Sequence, residues 1–138
     1  MAATKQFSLR VQRSLLDELD RLAREQRQTR TALVERVLDE GLRMEKHPLI
    51  WFREGGAGRR PALVGTRLDV WQVIETIRQN DNSPAEAAAY LDKPLPHIEA
   101  CVAYYAEYRD EIDAWTALER EFADRAFEAW QRSQQLFA

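Results

Sequence analysis

The 138-residue sequence has little of what several protein classes require. Its single cysteine, Cys101, excludes an intrachain disulfide and a metal site built from several cysteines. No apolar run approaches the ~18–20 residues that span a membrane. The first six residues also lack the apolar core of a secretory signal. We therefore expect a cytoplasmic protein without a membrane anchor.

Groups that catalyse reactions are also scarce. The two histidines, His47 and His97, lie far apart in the sequence, and each has a proline beside it. Cys101 falls on an apolar helical stripe, which predicts a buried and unreactive thiol. Acidic residues are frequent, but their spacing matches no metal site. The sequence thus predicts a protein that is not an enzyme, with no catalytic residue, no metal and no cofactor.

Charge changes along the chain and suggests three segments. Residues 1–47 contain 10 basic and 8 acidic residues, residues 48–109 contain 7 and 8, and residues 110–138 contain 3 and 7. The balances are +2, −1 and −4. A basic beginning and an acidic end favour two different partners, although solvated helix faces would give the same pattern. We treat the three segments as predicted domains.

Residues 1–47 show a strand pattern followed by two helical patterns. Phe7, Leu9 and Val11 alternate with polar residues, which predicts a strand with one apolar face. The first helix has Ser14 as its expected N-cap and the second has Thr29. A lone strand has no partner within this segment, and about 45 residues bury too little surface to fold alone. We therefore expect the strand to pair with its copy in a homodimer.

The order strand, helix, short turn and helix resembles the ribbon-helix-helix family, which includes Arc and MetJ. The strand core runs from Gln6 to Arg10, and the resemblance extends from about Lys5 to Lys46. In this family the polar face of the paired ribbon enters the major groove of DNA. The resemblance implies a dimeric protein that binds operator DNA.

The same resemblance implies which residues contact DNA. Gln6, Ser8 and Arg10 are the expected contacts to base edges, since Gln suits adenine, Arg suits guanine and Ser bonds either. The N-terminus of the second helix is the expected phosphate contact, through Thr29 and the backbone amide of Arg30. A ribbon that only holds two copies together is the alternative.

Residues 48–109 contain all five prolines and four of the five glycines. Two short strands, 49–52 and 61–64, are expected on either side of a glycine-rich loop. An amphipathic helix follows over 70–77, a second starts after Ser83, and a third begins near Leu95. This order predicts a small winged helix-turn-helix domain. The loop lacks the Gly-Lys-Ser/Thr sequence of a nucleotide site, which we therefore do not expect.

Part of this segment is similar to the family catalogued as domain of unknown function four-three-three. The similarity lies in Gly58 to Val70, the helix start at Ser83-Pro84, and Ile98 to Tyr105, with Gly65-Thr66-Arg67 as its most specific piece. That family recurs in VapB-like type II antitoxins that pair with small PIN-like ribonuclease toxins. The resemblance leaves open whether the domain contacts DNA, the toxin or its second copy.

Residues 110–138 form the end of a stretch without glycine or proline, which predicts one long helix or two abutting helices. A bend or a change of packing partner is expected near 118–119. Aromatic residues stand out here. The expected contacts to a partner protein are Trp115, Phe122, Phe127 and Trp130. An aromatic helix can fill a groove on a partner, or it can pack on its own domain or on the second copy.

The sequence as a whole predicts a mainly helical fold with short strands: a ribbon-helix-helix domain, a winged helix-turn-helix-like domain and a long C-terminal helix. The expected function is that of an antitoxin that neutralises a ribonuclease toxin and represses its own operon as a DNA-bound homodimer. A stand-alone repressor, whose second domain serves oligomerisation or ligand sensing, is the main alternative. An assembly adaptor is a weaker one.

Overall fold

A computed structural model describes residues 3–138 of the chain. Within that range the elements are α1 (Arg13–Glu25), α2 (Arg30–Lys46), β1 (Ile50–Gly55), β2 (Gly58–Leu63), α3 (Val70–Gln79), α4 (Pro84–Leu91), α5 (Leu95–Glu107) and α6 (Arg109–Gln135). The predicted mainly helical fold with short strands is confirmed. None of the helices described is long and apolar enough to cross a membrane.

The chain divides into two compact units, Met1–Arg43 and Met44–Ala138. The second unit takes in both the 48–109 and the 110–138 segments of the sequence. Ile112 and Thr116, near the start of α6, are buried in this unit at 0% and 3% exposure. The beginning of the last segment is therefore part of the core of the second unit.

The first unit is built on α1 and the first part of α2. The expected N-cap of α1 is wrong, because the helix begins at Arg13 and Gln12 occupies the cap position without a side-chain hydrogen bond. The expected cap of α2 is confirmed, since the backbone N–H of Ala32 donates to Oγ1 of Thr29 at 3.1 Å.

The predicted N-terminal strand is not formed in the part of the chain that the structure describes. Residues 3–12 form neither helix nor strand, and Phe7, Leu9 and Val11 are 74%, 69% and 42% exposed. A strand requires a neighbouring strand to satisfy its backbone groups, and residues 3–43 contain no strand that could pair with this segment. Residues 3–12 are therefore an exposed segment, in which apolar and polar side chains alternate.

The second unit begins with an antiparallel hairpin. Its register runs from Ile50 opposite Leu63 to Gly55 opposite Gly58. Both strands are longer than predicted toward the turn, so the glycine-rich loop shrinks to a two-residue turn at Gly56 and Ala57. Gly58 has φ +123°, a conformation that favours glycine, which explains one glycine of this turn.

One apolar core joins the hairpin to the helices of the second unit. α3 packs on α4, α5 and α6, and α5 packs on β1. The fully buried side chains of this core include Ile50, Leu63, Val70, Val73, Ile98, Cys101, Tyr104 and Ile112. The predicted order of hairpin, helix, short helix and longer helix is confirmed, and its narrower description as a winged helix-turn-helix stays a prediction.

The long C-terminal helical stretch is interrupted at Tyr108. This residue has φ −121° and ψ 44°, and it separates α5 from α6. Its ring packs on that of Tyr104, with centroids 4.6 Å apart. Near 118–119, where a bend or a change of partner was expected, α6 continues without a break from Arg109 to Gln135, but its surroundings change: Ile112 and Thr116 are buried, and all residues from 121 on are exposed. Thus the apolar stripe is divided between two helices.

Candidate functional site

The three predicted base-contacting residues lie together on the N-terminal segment. Gln6, Ser8 and Arg10 are all exposed, and they alternate with the apolar side chains of Phe7 and Leu9. One amide, one hydroxyl and one guanidinium are the group types that can bond base edges in a major groove. The segment therefore has the composition of a DNA-reading strand.

The helices of the first unit leave a large apolar surface uncovered. Among the apolar residues between positions 3 and 43, only Ala23 and Leu33 are buried. The exposed large apolar side chains are Phe7, Leu9, Val11, Leu15, Leu22, Val37, Leu38 and Leu42. An exposed apolar surface of this kind is typical of a protein interface.

The predicted phosphate contact lies at the start of α2. Thr29 and Arg30 are both exposed, and the first turn of α2 contains no acidic residue. The unpaired N–H groups and the dipole of a helix N-terminus favour an anion there. The guanidinium of Arg30, however, is held by the carboxylate of Asp20 at 2.7 and 2.9 Å. This pair lowers the pKa of Asp20 and raises that of Arg30. The backbone amide of Arg30 is thus the group that suits a phosphate.

The helices α4 and α5 of the second unit carry no lysine or arginine that could bind phosphates. α5 follows α4 in the position of a recognition helix, but its sequence LPHIEACVAYYAE has two glutamates and neither lysine nor arginine. Contacts to phosphates supply most of the affinity for DNA and depend on cations. These two helices are therefore poorly suited to contacts with DNA phosphates.

The expected partner-binding aromatics lie on α6, and most are uncovered. Phe122, Phe127 and Trp130 are 41%, 56% and 55% exposed, and all residues from 121 to 138 are exposed. The rings of Phe127 and Trp130 stack with centroids 5.8 Å apart. At 100° per residue Phe127 and Trp130 continue the face on which Ile112 and Thr116 are buried, whereas Phe122 lies about 100° to one side of it. The same helix face is thus a core element at one end and an open apolar surface at the other.

Trp115 differs from the other three aromatics because it packs within the second unit. Its ring lies against the guanidinium of Arg60, 4.5 Å from the ring centroid. The guanidinium also donates to Oε1 of Glu119 at 2.6 Å. Trp115 therefore joins α6 to the hairpin, whereas Phe122, Phe127 and Trp130 are free to contact a partner.

The acidic character of the last segment lies mostly in its packed half. Residues 110–120 contain four acidic residues and one arginine, whereas residues 121–138 contain three and two. The exposed half has a balance of −1 against −3 for the packed half. Its apolar side chains, rather than its charge, distinguish the exposed part of α6.

A buried ionic network links the hairpin, the start of α3 and α6. Arg53 donates to both carboxylate oxygens of Asp69, at 2.6 and 2.9 Å, and Arg60 donates to the same carboxylate at 3.3 Å. The hydrogen bond from Arg53 to Asp69 raises the pKa of Arg53. Asp69 is 1% exposed, and Trp71 also donates to it. This network leaves no signal in the sequence, because its members are spread from position 53 to position 119 and share no motif.

A second polar cluster lies where α5 ends. Glu107 accepts hydrogen bonds from Lys46 and bonds Nε2 of His47 at 2.7 Å. Lys46 also donates to the hydroxyl of Tyr108 at 2.8 Å. The hydrogen bonds from Lys46 and His47 lower the pKa of Glu107 to about 2. His47 thus has a defined structural partner.

The comparisons with known proteins bear on the first unit. Residues 5–45, under a third of the chain, match the family described as ribbon-helix-helix protein, copG family. No curated protein and no solved structure was found to match the chain. Ribbon-helix-helix proteins bind DNA and dimerise, and they are generally not enzymes. The chain therefore carries a ribbon-helix-helix segment at its N-terminus, which indicates a DNA-binding transcription regulator.

Proposed function

We propose that the protein is a cytoplasmic transcription repressor that binds a palindromic operator of its own operon as a homodimer. The observation that carries the proposal is the N-terminal segment, in which exposed Gln6, Ser8 and Arg10 alternate with exposed apolar side chains in a region that matches the ribbon-helix-helix family. Pairing two such segments would cover the apolar set and turn the polar set outward.

In this proposal two kinds of contact hold the DNA. Gln6, Ser8 and Arg10 read base edges, and each good bidentate contact discriminates by roughly 1–3 kcal/mol. Thr29 and the backbone amide of Arg30 position the dimer on a phosphate. The side chain of Arg30 stabilises the contact between α1 and α2 through Asp20.

We further propose that the protein is the antitoxin of a type II toxin–antitoxin pair and neutralises a small PIN-like ribonuclease by direct binding. The resemblance of 58–105 to an antitoxin-associated domain suggests the partner. The uncovered aromatic face of α6 suggests the binding surface, with Phe122, Phe127 and Trp130 as anchors and Trp115 as the residue that fixes the helix to its unit.

A stand-alone repressor whose second unit senses a ligand is the second candidate. An open cavity of about 370 Å³ between the hairpin turn and α6 favours it, since its volume lies in the range of small-molecule sites. The two candidates differ in whether a second protein is required.

The DNA-binding proposal is tested with DNA from the region upstream of the gene. Arg10→Ala should weaken binding by about 1–3 kcal/mol and relax the preference at one base position, as measured by competition gel shifts. Arg67→Ala, which removes an exposed arginine of the second unit, is the matched control and should leave binding unchanged. Unaltered operator preference after joint replacement of Gln6, Ser8 and Arg10 by alanine would contradict the proposed base contacts.

The partner proposal is tested by co-expression with the product of the neighbouring gene. A full-length chain should co-purify with a small ribonuclease and inhibit it, and a chain ending at residue 120 should lose both properties and still bind DNA. We end the chain at 120, because Ile112 and Thr116 belong to the core. Inhibition by the shortened chain would show that α6 is not the binding surface.

A further inference from the structure

A cavity between the hairpin turn and α6 has the features of a ligand site. Its volume is about 370 Å³ and it opens to solvent. The turn from Gly55 to Ala57 and the side chains of Arg53, Arg60, Glu119 and Phe122 line it. Two guanidinium groups, one carboxylate and one aromatic ring thus face the same space.

Arg60, which lines this cavity, has one buried hydrogen-bond donor without a partner. Arg60 is 7% exposed, and its Nε atom makes no hydrogen bond. The rest of the guanidinium is engaged, since Nη1 donates to Glu119 at 2.6 Å and to Asp69 at 3.3 Å. A buried donor without an acceptor is uncommon in proteins and needs an explanation, such as an acceptor supplied by a ligand.

The neighbouring charges determine what acceptor the cavity can take. Arg53 and Arg60 are balanced by Asp69 and Glu119, of which Asp69 is bound on both of its oxygens. Glu119 is held only through Oε1 to Arg60, and its side chain is 23% exposed. Glu119 is therefore the one of these two carboxylates that can turn toward solvent. A carboxylate of a ligand could then take its place at Arg60.

We propose that this cavity binds a carboxylate, carried either by a small organic acid or by an acidic side chain of a partner protein. Arg60 is the recognising group, and its planar guanidinium suits a carboxylate. The exposed ring of Phe122 covers the apolar part of the ligand. Glu119 competes with the ligand for Arg60, so binding loosens one contact between the hairpin and α6. The proposal does not depend on the existence of a toxin or on DNA binding.

The probes are benzoate, for a free organic acid, and N-acetyl-aspartyl amide, for an acidic side chain. They are titrated into the full-length protein while the Nε–Hε signals of arginine are followed by NMR. We expect a saturable shift of the Arg60 signal with at least one probe, at a dissociation constant on the order of 1 mM. Benzamide, the uncharged analogue of benzoate, should bind at least about tenfold more weakly.

The outcomes separate the two sources of the carboxylate. Saturation by benzoate alone supports a small acid, and saturation by the aspartyl amide alone supports a partner side chain. If neither probe saturates, or if benzamide binds as well as benzoate, the proposal is overturned.

Two variants test the role given to Arg60 and Glu119. Glu119→Gln removes the competing charge, so affinity for the active probe should rise by about three- to tenfold. Arg60→Met should abolish binding, while Arg67→Gln, outside the cavity, should not alter it. Should Arg60→Met fail to fold, Glu119→Gln decides alone: unchanged or weaker binding contradicts the proposal.

Discussion

Arg60 is held from several sides at once, and this makes it sensitive to small changes nearby. Its guanidinium lies between the ring of Trp115 and the Cα of Gly55. A Cβ added at Gly55 would lie 2.9 Å from Nε and 3.0 Å from Nη2 of Arg60. Gly55 is therefore needed for the close approach of a side chain that is itself fixed by Asp69 and Glu119.

We expect Gly55→Ala to lower the free energy of unfolding by about 1–3 kcal/mol, because the guanidinium must move away from its buried carboxylates. Urea denaturation of the full-length chain measures this. Gly56→Ala is the matched control, since its Cβ would meet no atom within 4 Å, and should change stability by less than about 0.5 kcal/mol. Equal effects of the two substitutions would show that the contact with Arg60 does not matter.

Glu107 predicts a dependence of stability on pH. Its pKa is lowered from the usual 4.5 to about 2 in the folded chain, first of all by the hydrogen bond from Lys46. A carboxylate with a lowered pKa stabilises the folded state fully above its unfolded pKa. That stabilisation is lost as the pH falls from about 4.5 to about 2. The free energy of unfolding should therefore decrease through this range.

The difference between the wild-type chain and Glu107→Gln isolates this contribution. We expect the two to differ most at pH 6 to 7 and to converge toward pH 2 in a series of urea denaturations, roughly as a single group would titrate. Glu99→Gln, an exposed substitution on the same helix, is the control. A difference that does not vary with pH would contradict the assigned interaction.

At the scale of elements, α6 is divided between two environments. Its first turns supply Ile112 and Thr116 to the core, whereas every residue from 121 onward is exposed. A helix of about 15 residues without tertiary packing is marginal in water. Its apolar face therefore adds little to the stability of the second unit.

We expect a chain ending at residue 120 to keep its thermal stability, with a Tm within about 2 °C of the full-length value, because little buried surface is removed. Differential scanning calorimetry measures this. A chain ending at residue 110, which also removes Ile112, is the contrasting control and should lose the cooperative transition of the second unit. A large decrease in Tm for the first truncation would show that the tail packs on the protein.

At the scale of the whole molecule, the first unit leaves its apolar side chains uncovered. Of the residues described in this unit, eight large apolar ones are exposed and only two apolar ones are buried. A surface of this composition is stable in water when a second copy covers it. Dimerisation and DNA binding should therefore be lost together.

We expect Phe7→Asp to raise the dissociation constant of the dimer by roughly 100-fold, because each copy would bury an unpaired carboxylate. Sedimentation equilibrium measures this, and a gel shift should show weaker DNA binding in parallel. Ser8→Asp is the control on the polar set, which should leave the dimer intact while it weakens binding to DNA through charge repulsion. A Phe7→Asp chain that still dimerises would place the interface elsewhere.

Features that depend on local sequence were predictable, whereas features that depend on tertiary contacts were not. Local signals are enough for the cap at Thr29, the start of α4 after Ser83 and the order of hairpin and helices. The break at Tyr108 carries no such signal, because no glycine or proline marks it and ring packing on Tyr104 accompanies it. Contacts between residues far apart in the sequence likewise produce no periodic pattern from which they could be predicted.

The sequence by itself determined the alternation of residues 6–12, the helical periods and the low content of catalytic groups, because these depend on local spacing and composition. Only the tertiary structure decided that Trp115 packs on Arg60 while Phe122, Phe127 and Trp130 stay uncovered. The cavity beside Arg60 likewise exists only in the tertiary structure. The physical reason is that burial and ion pairing depend on which distant residues the fold brings within contact distance.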